Sequence, residues 1–274
     1  MKKSFLLLFL LYCTSIFAAA AVAQTNAALK VLAIGNSFSE DALENYLLEL
    51  AQQDGKEIII GNMYIGGAPL SLHVENATAN LKAYSYRKIN SDAKKITTEN
   101  RSIEEVLGDE NWDYISLQQA SPLSGRYEEV ERDLPELIAY VQQRAPKAKL
   151  IYHQTWAYQQ DSKHPGFANY NNNQESMYQG ILAVSQRVKK YKAIQYIVPA
   201  GIAIQYARKK LGDNFTRDGY HLQLDYGRFT AACTWYEMLF KTDVRKNSYK
   251  PQAVTTRQAK IAKDAAHYAR KYKL

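Results

Sequence analysis

Three residues far apart in this chain could do chemistry together if the fold joined them. Ser37 lies in "VLAIGNSFSE", Val31 to Glu40, where four apolar residues run into Gly35-Asn36-Ser37 and the chain then turns polar and helical. A hydroxyl in that place has two readings. Ser37 or Ser39 could cap a helix beginning near Asp41, with Gly35-Asn36 as ordinary turn chemistry. Alternatively, Ser37 could present its oxygen as a nucleophile beyond the strand end, where the N–H groups of a helix start can stabilise an oxyanion. A serine hydroxyl is inert at neutral pH unless a base takes its proton, so a histidine is required. Five are present. His73 follows the Gly66-Gly67 loop, His153 ends an apolar run and His164 lies in a polar loop. His267 lies in a basic C-terminal segment and is expected to be solvated. His221 differs, because in "TRDGYHLQLDYG" Asp218 stands three residues before it. In a turn, that spacing lets the carboxylate reach the ring Nδ1–H and leaves Nε2 free to act as a base. Asp-x-x-His alone is a weak signal, and its bland reading is a helix-start turn with an incidental histidine. Its weight comes from occurring before the penultimate helix of an α/β chain that opens with Gly-Asn-Ser.

The elements that must position these residues alternate along the chain. Apolar runs of strand length cover residues 29–34, 57–60, 114–117, 150–152 and 196–198. Helical spacing covers 41–53, 128–144, 174–191, 202–211, 225–240 and 255–272, with Pro135 expected to kink the long helix or mark a second start. Ser102-Ile-Glu-Glu105 forms a capping box that opens a short helix. Strand–helix alternation of this kind predicts an α/β fold, with a mainly parallel five-stranded sheet and helices on both faces. No linker or repeat divides the chain. The polar, Tyr- and Lys-rich segment at about 82–100 reads as an insertion near one edge, and 159–173 reads as a turn-forming loop. In open parallel sheets ligands bind beyond the carboxyl ends of the strands, so both segments are candidates to border a site.

Composition narrows the classes of function. Residues 1–23 read as a secretory leader: Lys2-Lys3, an apolar core from Phe5 to Phe17, then Ala21-Val22-Ala23 before Gln24. Cys13 follows bulky Tyr12, which argues against a lipoprotein signal. The expected product is an exported domain over 24–274, periplasmic or extracellular, without stable membrane insertion. Loss of the two leader lysines would lower the formal charge from +8 to +6. Cys233 would be the one remaining cysteine, so no internal disulfide is expected and the core must supply stability. A pI near 9.2 invites a nucleic-acid reading, but the lysines are scattered and no nucleic-acid motif accompanies them. The 21 tyrosines could offer faces to sugars or simply fill cores and interfaces. The histidines lack ligand-spaced partners, so neither a metal nor another cofactor is expected.

Together, Gly35-Asn36-Ser37 after the first strand and Asp218-Gly-Tyr-His221 near the end resemble the SGNH/GDSL hydrolase superfamily. The resemblance covers most of the expected mature chain in order and spacing, but few residues in identity. It implies a flavodoxin-like three-layer sandwich and the roles Ser37 nucleophile, His221 base and Asp218 orienting acid. It further implies an oxyanion hole built from the Ser37 N–H, the Gly67 N–H (with Gly66 as its rival) and a side-chain amide. The family's usual Gly-x-Asn-Asp is missing from "DYISLQQASPLSG", so Gln119, or less favourably Gln118, would supply that amide. Asn36 stands where the name motif has aspartate, which points to a divergent branch. Asn36, Gln118, Trp156 and His73 are placed as possible pocket residues. The α/β-hydrolase pattern G-x-S-x-G is absent, and Gly-Asn-Ser-Phe-Ser lacks the lysine of a phosphate loop. The implied activity is an exported serine esterase, most plausibly removing acetyl groups from an acylated carbohydrate. A non-catalytic carbohydrate-binding protein on a degenerate scaffold, and a lipase or thioesterase with the same triad, are the alternatives. Oligomeric state is not legible.

Overall fold

Apolar runs become strands here because each is too short for a helix and is bounded by turn residues. The structure is a computed structural model that describes residues 27–274, and the leader expected over 1–23 lies outside the described residues. The chain opens with β1 (Leu29–Gly35), α1 (Ser37–Leu43), α2 (Leu47–Gln53) and β2 (Ile58–Tyr64). Next come α3 (Leu70–Thr78), β3 (Tyr84–Ile89), β4 (Lys95–Arg101) and α4 (Ile103–Leu107). The second half runs β5 (Tyr114–Leu117), α5 (Tyr127–Arg144), β6 (Lys149–His153), α6 (Gln174–Val188), β7 (Ile194–Val198) and α7 (Ala200–Leu211). It closes on α8 (Tyr226–Phe240) and α9 (Thr256–Lys271).

Among the described residues a single sheet has the order β4-β3-β2-β1-β5-β6-β7. The strands β2, β1, β5, β6 and β7 are mutually parallel, as the alternation of elements predicted. The expected total of five is corrected to seven, because the segment read as an insertion is a hairpin that widens the sheet. β3 lies antiparallel on β2, and β4 antiparallel on β3. β3 buries Tyr84, Tyr86 and Ile89 between half-buried polar residues, whereas β4 is exposed along almost its whole length. An edge strand without a buried face leaves no apolar pattern to read.

Alternating side chains send each central strand into two cores. Val31 and Ala33 of β1 join the core under α1, α2, α7, α8 and α9, while Leu32 and Ile34 join the core under α3, α4 and α5. Fully burying one such aliphatic side chain stabilises the fold by about 1.5–3 kcal/mol. α8 is apolar almost all round and accordingly buried, with Phe229, Cys233 and Trp235 inaccessible to solvent. Burial pushes the Cys233 thiol well above the usual cysteine range, so it is a core residue rather than a reactive one.

Two local expectations change. The first helix begins at Ser37 rather than near Asp41, and its cap is Asn36 rather than Ser37 or Ser39. Asn36 Oδ1 accepts the Phe38 N–H at 3.0 Å, the ordinary capping bond. The helical run then breaks at Tyr46, whose φ of 66° is left-handed, and resumes as α2. Pro135 neither ends nor divides α5.

Candidate active site

The carboxyl end of β1 makes a turn that admits little besides glycine. A Cβ on Gly35 would lie 2.6 Å from Ser39 Oγ and 3.0 Å from the Gln118 side chain. Asn36 then holds an extended backbone and spends its whole side chain inside the protein. Its amide donates to the Ala68 carbonyl at 3.0 Å, and its oxygen accepts Gln118 Nε2 at 2.8 Å besides the Phe38 N–H. This leaves Ser37 as the first residue of α1, where a backbone N–H has no intrahelical acceptor.

The second half of the site comes from the turn before α8. Thr216 pairs with Leu222, and the Arg217 N–H donates to the His221 carbonyl at 2.9 Å. Gly219 at its tip has φ +93°, a left-handed conformation suited to glycine. Asp218 Oδ1 accepts the N–H groups of Tyr220 at 3.2 Å and His221 at 2.8 Å, while Oδ2 accepts His221 Nδ1–H at 2.6 Å. His221 Nε2, left without a proton, lies 2.7 Å from Ser37 Oγ and accepts its hydroxyl. The carboxylate thus fixes the tautomer in which the imidazole can receive the serine proton. Burial pushes the Asp218 carboxyl upward. The His221 ring and the two N–H groups outweigh that and hold it below the usual aspartate range.

One buried acid locks the two halves together. Asp41, fully buried and one turn beyond Ser37 on α1, accepts the Leu222 N–H at 2.7 Å. Both its oxygens take Arg217 Nη1 at 3.1 Å, and Oδ1 takes Arg228 Nε at 2.8 Å. Arg217 also donates to the Leu222 carbonyl. A buried carboxylate is tolerated when it is paired and hydrogen-bonded, and here the pairing joins α1, the histidine turn and α8.

Ser37 and His221 open onto a cavity of about 350 Å³ at the carboxyl ends of the parallel strands. Asn36 and Phe38 flank Ser37, while Tyr64 enters from the end of β2 and Gly66 and Gly67 from the loop that follows it. Ser121 and Pro122 come from the loop after β5, His164 from the 159–173 loop and Tyr220 from the histidine turn. Among the described residues, no Lys, Arg, Asp or Glu lines it. Among the described residues, nothing accepts the backbone N–H of Ser37, Gly66 or Gly67, so these donors are available to a ligand. Gly67 holds φ +68° with open space around it, which turns the loop backbone toward the cavity without a side chain in the way.

The fold brings together Ser37, His221, Asp218, Asn36, Gly67 and its rival Gly66, and leaves Gln118, Gln119, Trp156 and His73 outside the cavity lining. Gln119, expected as the side-chain oxyanion donor, is turned inward. Its oxygen accepts the Leu70 and Ala120 N–H groups at 3.0 and 2.8 Å, and its amide donates to the Glu129 carbonyl at 3.3 Å. Gln118 lies beneath Asn36, its oxygen accepting His153 Nδ1–H at 2.9 Å. Trp156 stacks under Phe38 with centroids 4.4 Å apart and donates to the Tyr220 carbonyl at 2.8 Å, so it supports the floor from below. His73 is buried against the Tyr84 hydroxyl at 2.8 Å, and that burial lowers its pKa to about 4. His267, expected in solvent, instead donates Nδ1–H to the buried Glu237 at 2.7 Å.

Several lining residues escaped the sequence reading. Phe38 and Tyr220 are the immediate neighbours of Ser37 and His221, a signal that was available. His164 lies in a loop expected to border the site, whereas the 82–100 hairpin contributes no lining residue.

Comparison with known proteins agrees with this architecture. The crystal structure of a DUF4886 family protein from Bacteroides uniformis superposes with a TM-score of 0.88 at 48% identity, over 89% of this chain and 95% of that one. An acetyl xylan esterase from Geobacillus stearothermophilus gives a TM-score of 0.51 at 14% identity, over 77% and 94% of the two chains. A protein described as a GDSL-like lipase, from Parabacteroides merdae, gives 0.50 at 15% identity over 80% and 99%. At such identity the last two share the fold and nothing finer is read from them. No curated protein matches. A family model described as a domain of unknown function, DUF4886, matches residues 30–269, and the chain belongs to that family.

Proposed function

We propose that this chain is a serine esterase that removes small acyl groups, acetyl above all, from a carbohydrate. The observation that carries the chemistry is the continuous line from Asp218 through His221 to Ser37, with contacts of 2.6 and 2.7 Å. Ser37 Oγ attacks the ester carbonyl as His221 Nε2 takes its proton. Asp218 holds the ring and offsets the imidazolium charge. The carbonyl oxygen, now an oxyanion, is held by the N–H groups of Ser37 and Gly67, with Gly66 beside them. Collapse of the intermediate breaks the ester bond, and His221 gives its proton to the departing alcohol oxygen. Water then repeats the sequence on the acyl-enzyme and frees Ser37. Gln119 has no part in this scheme, because its amide is spent on the protein, so the hole rests on backbone donors.

The carbohydrate half is supported by an uncharged crevice with aromatic walls, an acetyl xylan esterase among the proteins of like fold, and the leader expected over 1–23. Export to the periplasm or beyond belongs to the same proposal and is checked by cell fractionation. Purified protein is expected to release acetate from an acetylated glycan and from a chromogenic acetate, and Ser37→Ala to abolish both. Equal inactivity of wild type and variant across a panel of acyl esters would favour the binding-only alternative. Faster turnover of long-chain esters than of acetates would favour a lipase.

A further inference from the structure

The cavity holds a second histidine that the triad does not use. His164 stands just before the short 3-10 turn Pro165–Tyr170, and its Nδ1 accepts the Gly166 N–H at 3.0 Å. A ring nitrogen that accepts an N–H carries no proton, so in the neutral ring the proton is on Nε2. The ring is held in place on several sides. Tyr220 and Tyr158 lie 4.7 and 4.9 Å away between centroids. The turn behind it presses on the loop after β5, since a Cβ on Gly166 would fall 2.3 Å from Pro122 Cβ. Among the described residues, no group accepts a hydrogen bond from His164 Nε2. Burial, and then the nearby His221 ring, lower the His164 pKa, so at neutral pH it is an uncharged donor.

We infer that His164 Nε2–H binds an oxygen on the alcohol side of the ester and thereby selects polyhydroxylated alcohols, sugars in the first place, over simple ones. The inference rests on the esterase reading and deepens it. Because His221 must return its proton to the departing oxygen, the alcohol portion of the ester lies against His221. Tyr220 touches both rings, 4.2 Å from His221 and 4.7 Å from His164 between centroids, so the two histidines border the same part of the cavity. The lining carries no formal charge, which suits a neutral hydroxyl or ring oxygen better than a carboxylate or an ammonium group. A neutral His164 also avoids placing a second cation beside His221 when the latter is protonated.

The test compares kcat/KM for a methyl mono-O-acetylpyranoside with that for phenyl acetate, whose alcohol carries no further oxygen. In His164→Asn, the Asn side chain can still accept the Gly166 N–H but loses the far donor. The ratio of the two constants is expected to fall about tenfold, the worth of one hydrogen bond. In His164→Gln, whose amide reaches farther, the ratio is expected to recover in part. An unchanged ratio in folded His164→Asn, or an equal fall for both esters in both variants, would overturn the assignment. If wild type hydrolyses neither ester, the esterase reading itself fails. If wild type hydrolyses both and the ratio ignores residue 164, only this inference fails.

Discussion

The chain builds the same pair twice, with different consequences. Asp218–His221 and Glu237–His267 each place a carboxylate oxygen against His Nδ1, at 2.6 and 2.7 Å. In the first pair the side chains keep 38% and 19% of their accessible surface, and Nε2 meets Ser37 Oγ at the edge of a cavity. In the second the figures are 0% and 13%, and His267 Nε2 is buried with no partner among the described residues. Glu237 also accepts the Val244 N–H at 3.1 Å, Arg270 lies 3.5 Å from it, and Asp243, near the same ring at 3.4 Å, is held by Arg245 at 2.6 Å. Glu237, Asp243 and His267 converge as metal ligands could, yet two guanidinium groups already supply the positive charge there. That network ties α8 to α9 and the turn between them. A histidine–carboxylate pair therefore becomes a candidate site only when a third group and an accessible cavity meet its free nitrogen.

The largest expected effect separates the two pairs. His221→Ala should lower kcat by about 10⁴-fold or more, with a small change in Tm, because it removes the base of a cooperative triad. His267→Ala should do the reverse: a clear fall in Tm, since removing the hydrogen-bond partner of a buried polar group costs about 1–3 kcal/mol, and kcat within about threefold. Swapped phenotypes would break the comparison. Steady-state kinetics and thermal melts on the two variants decide it.

A second prediction concerns the histidines that have no acid partner. Burial lowers His73 to about 4 and His153 to about 3. The folded state therefore binds fewer protons than the unfolded state below the ordinary histidine value of about 6.5. Stability should fall as pH drops from about 6.5 toward 4, levelling only below the folded values, and should not change for this reason above 6.5. Each unit of difference is about 1.4 kcal/mol, so the two residues together cost several kcal/mol. Tm measured from pH 7 to about 5.5, above the range in which ordinary carboxylates titrate, should show the decline. A flat profile would contradict the buried neutral assignment.

Asp41 offers a smaller and sharper test. Asp41→Asn retains the size but removes the negative charge that pairs with Arg217 and Arg228, and leaves one acceptor oxygen where two align α1 with the histidine turn. It should lower kcat about 10²-fold while KM changes little, as a misplaced nucleophile does. A normal kcat in the folded variant would show that alignment does not depend on this acid. Smallest of all, Gln119→Ala should destabilise the fold and leave kcat within about threefold. A loss of ~10²–10³ in rate, the usual worth of an oxyanion donor, would return Gln119 to the hole.

Legibility in the sequence followed the range of the interactions. The Gly35-Asn36-Ser37 turn and the Asp218–His221 spacing are local, and five apolar runs gave the parallel strands directly. β3 and β4 are hidden because β3 sets Tyr84, Tyr86 and Ile89 among polar residues and β4 has no buried face. The orientation of Gln119 depends on α3 and α5 packing around it, which no local pattern encodes. His267 was misread because the buried face of α9 consists of alanines, Ala259, Ala262, Ala265, Ala266 and Ala269, too small to mark its border clearly. His164 required knowing where a polar loop docks.

Covalent labelling with a fluorophosphonate, mapped by mass spectrometry on the folded protein, tests the nucleophile most directly. A single adduct on Ser37, absent in Ser37→Ala and formed at least about 10³ times more slowly in His221→Ala, is the result expected of a serine activated by an imidazole. A folded wild-type protein that takes up no label, or carries it on another residue, would contradict the account.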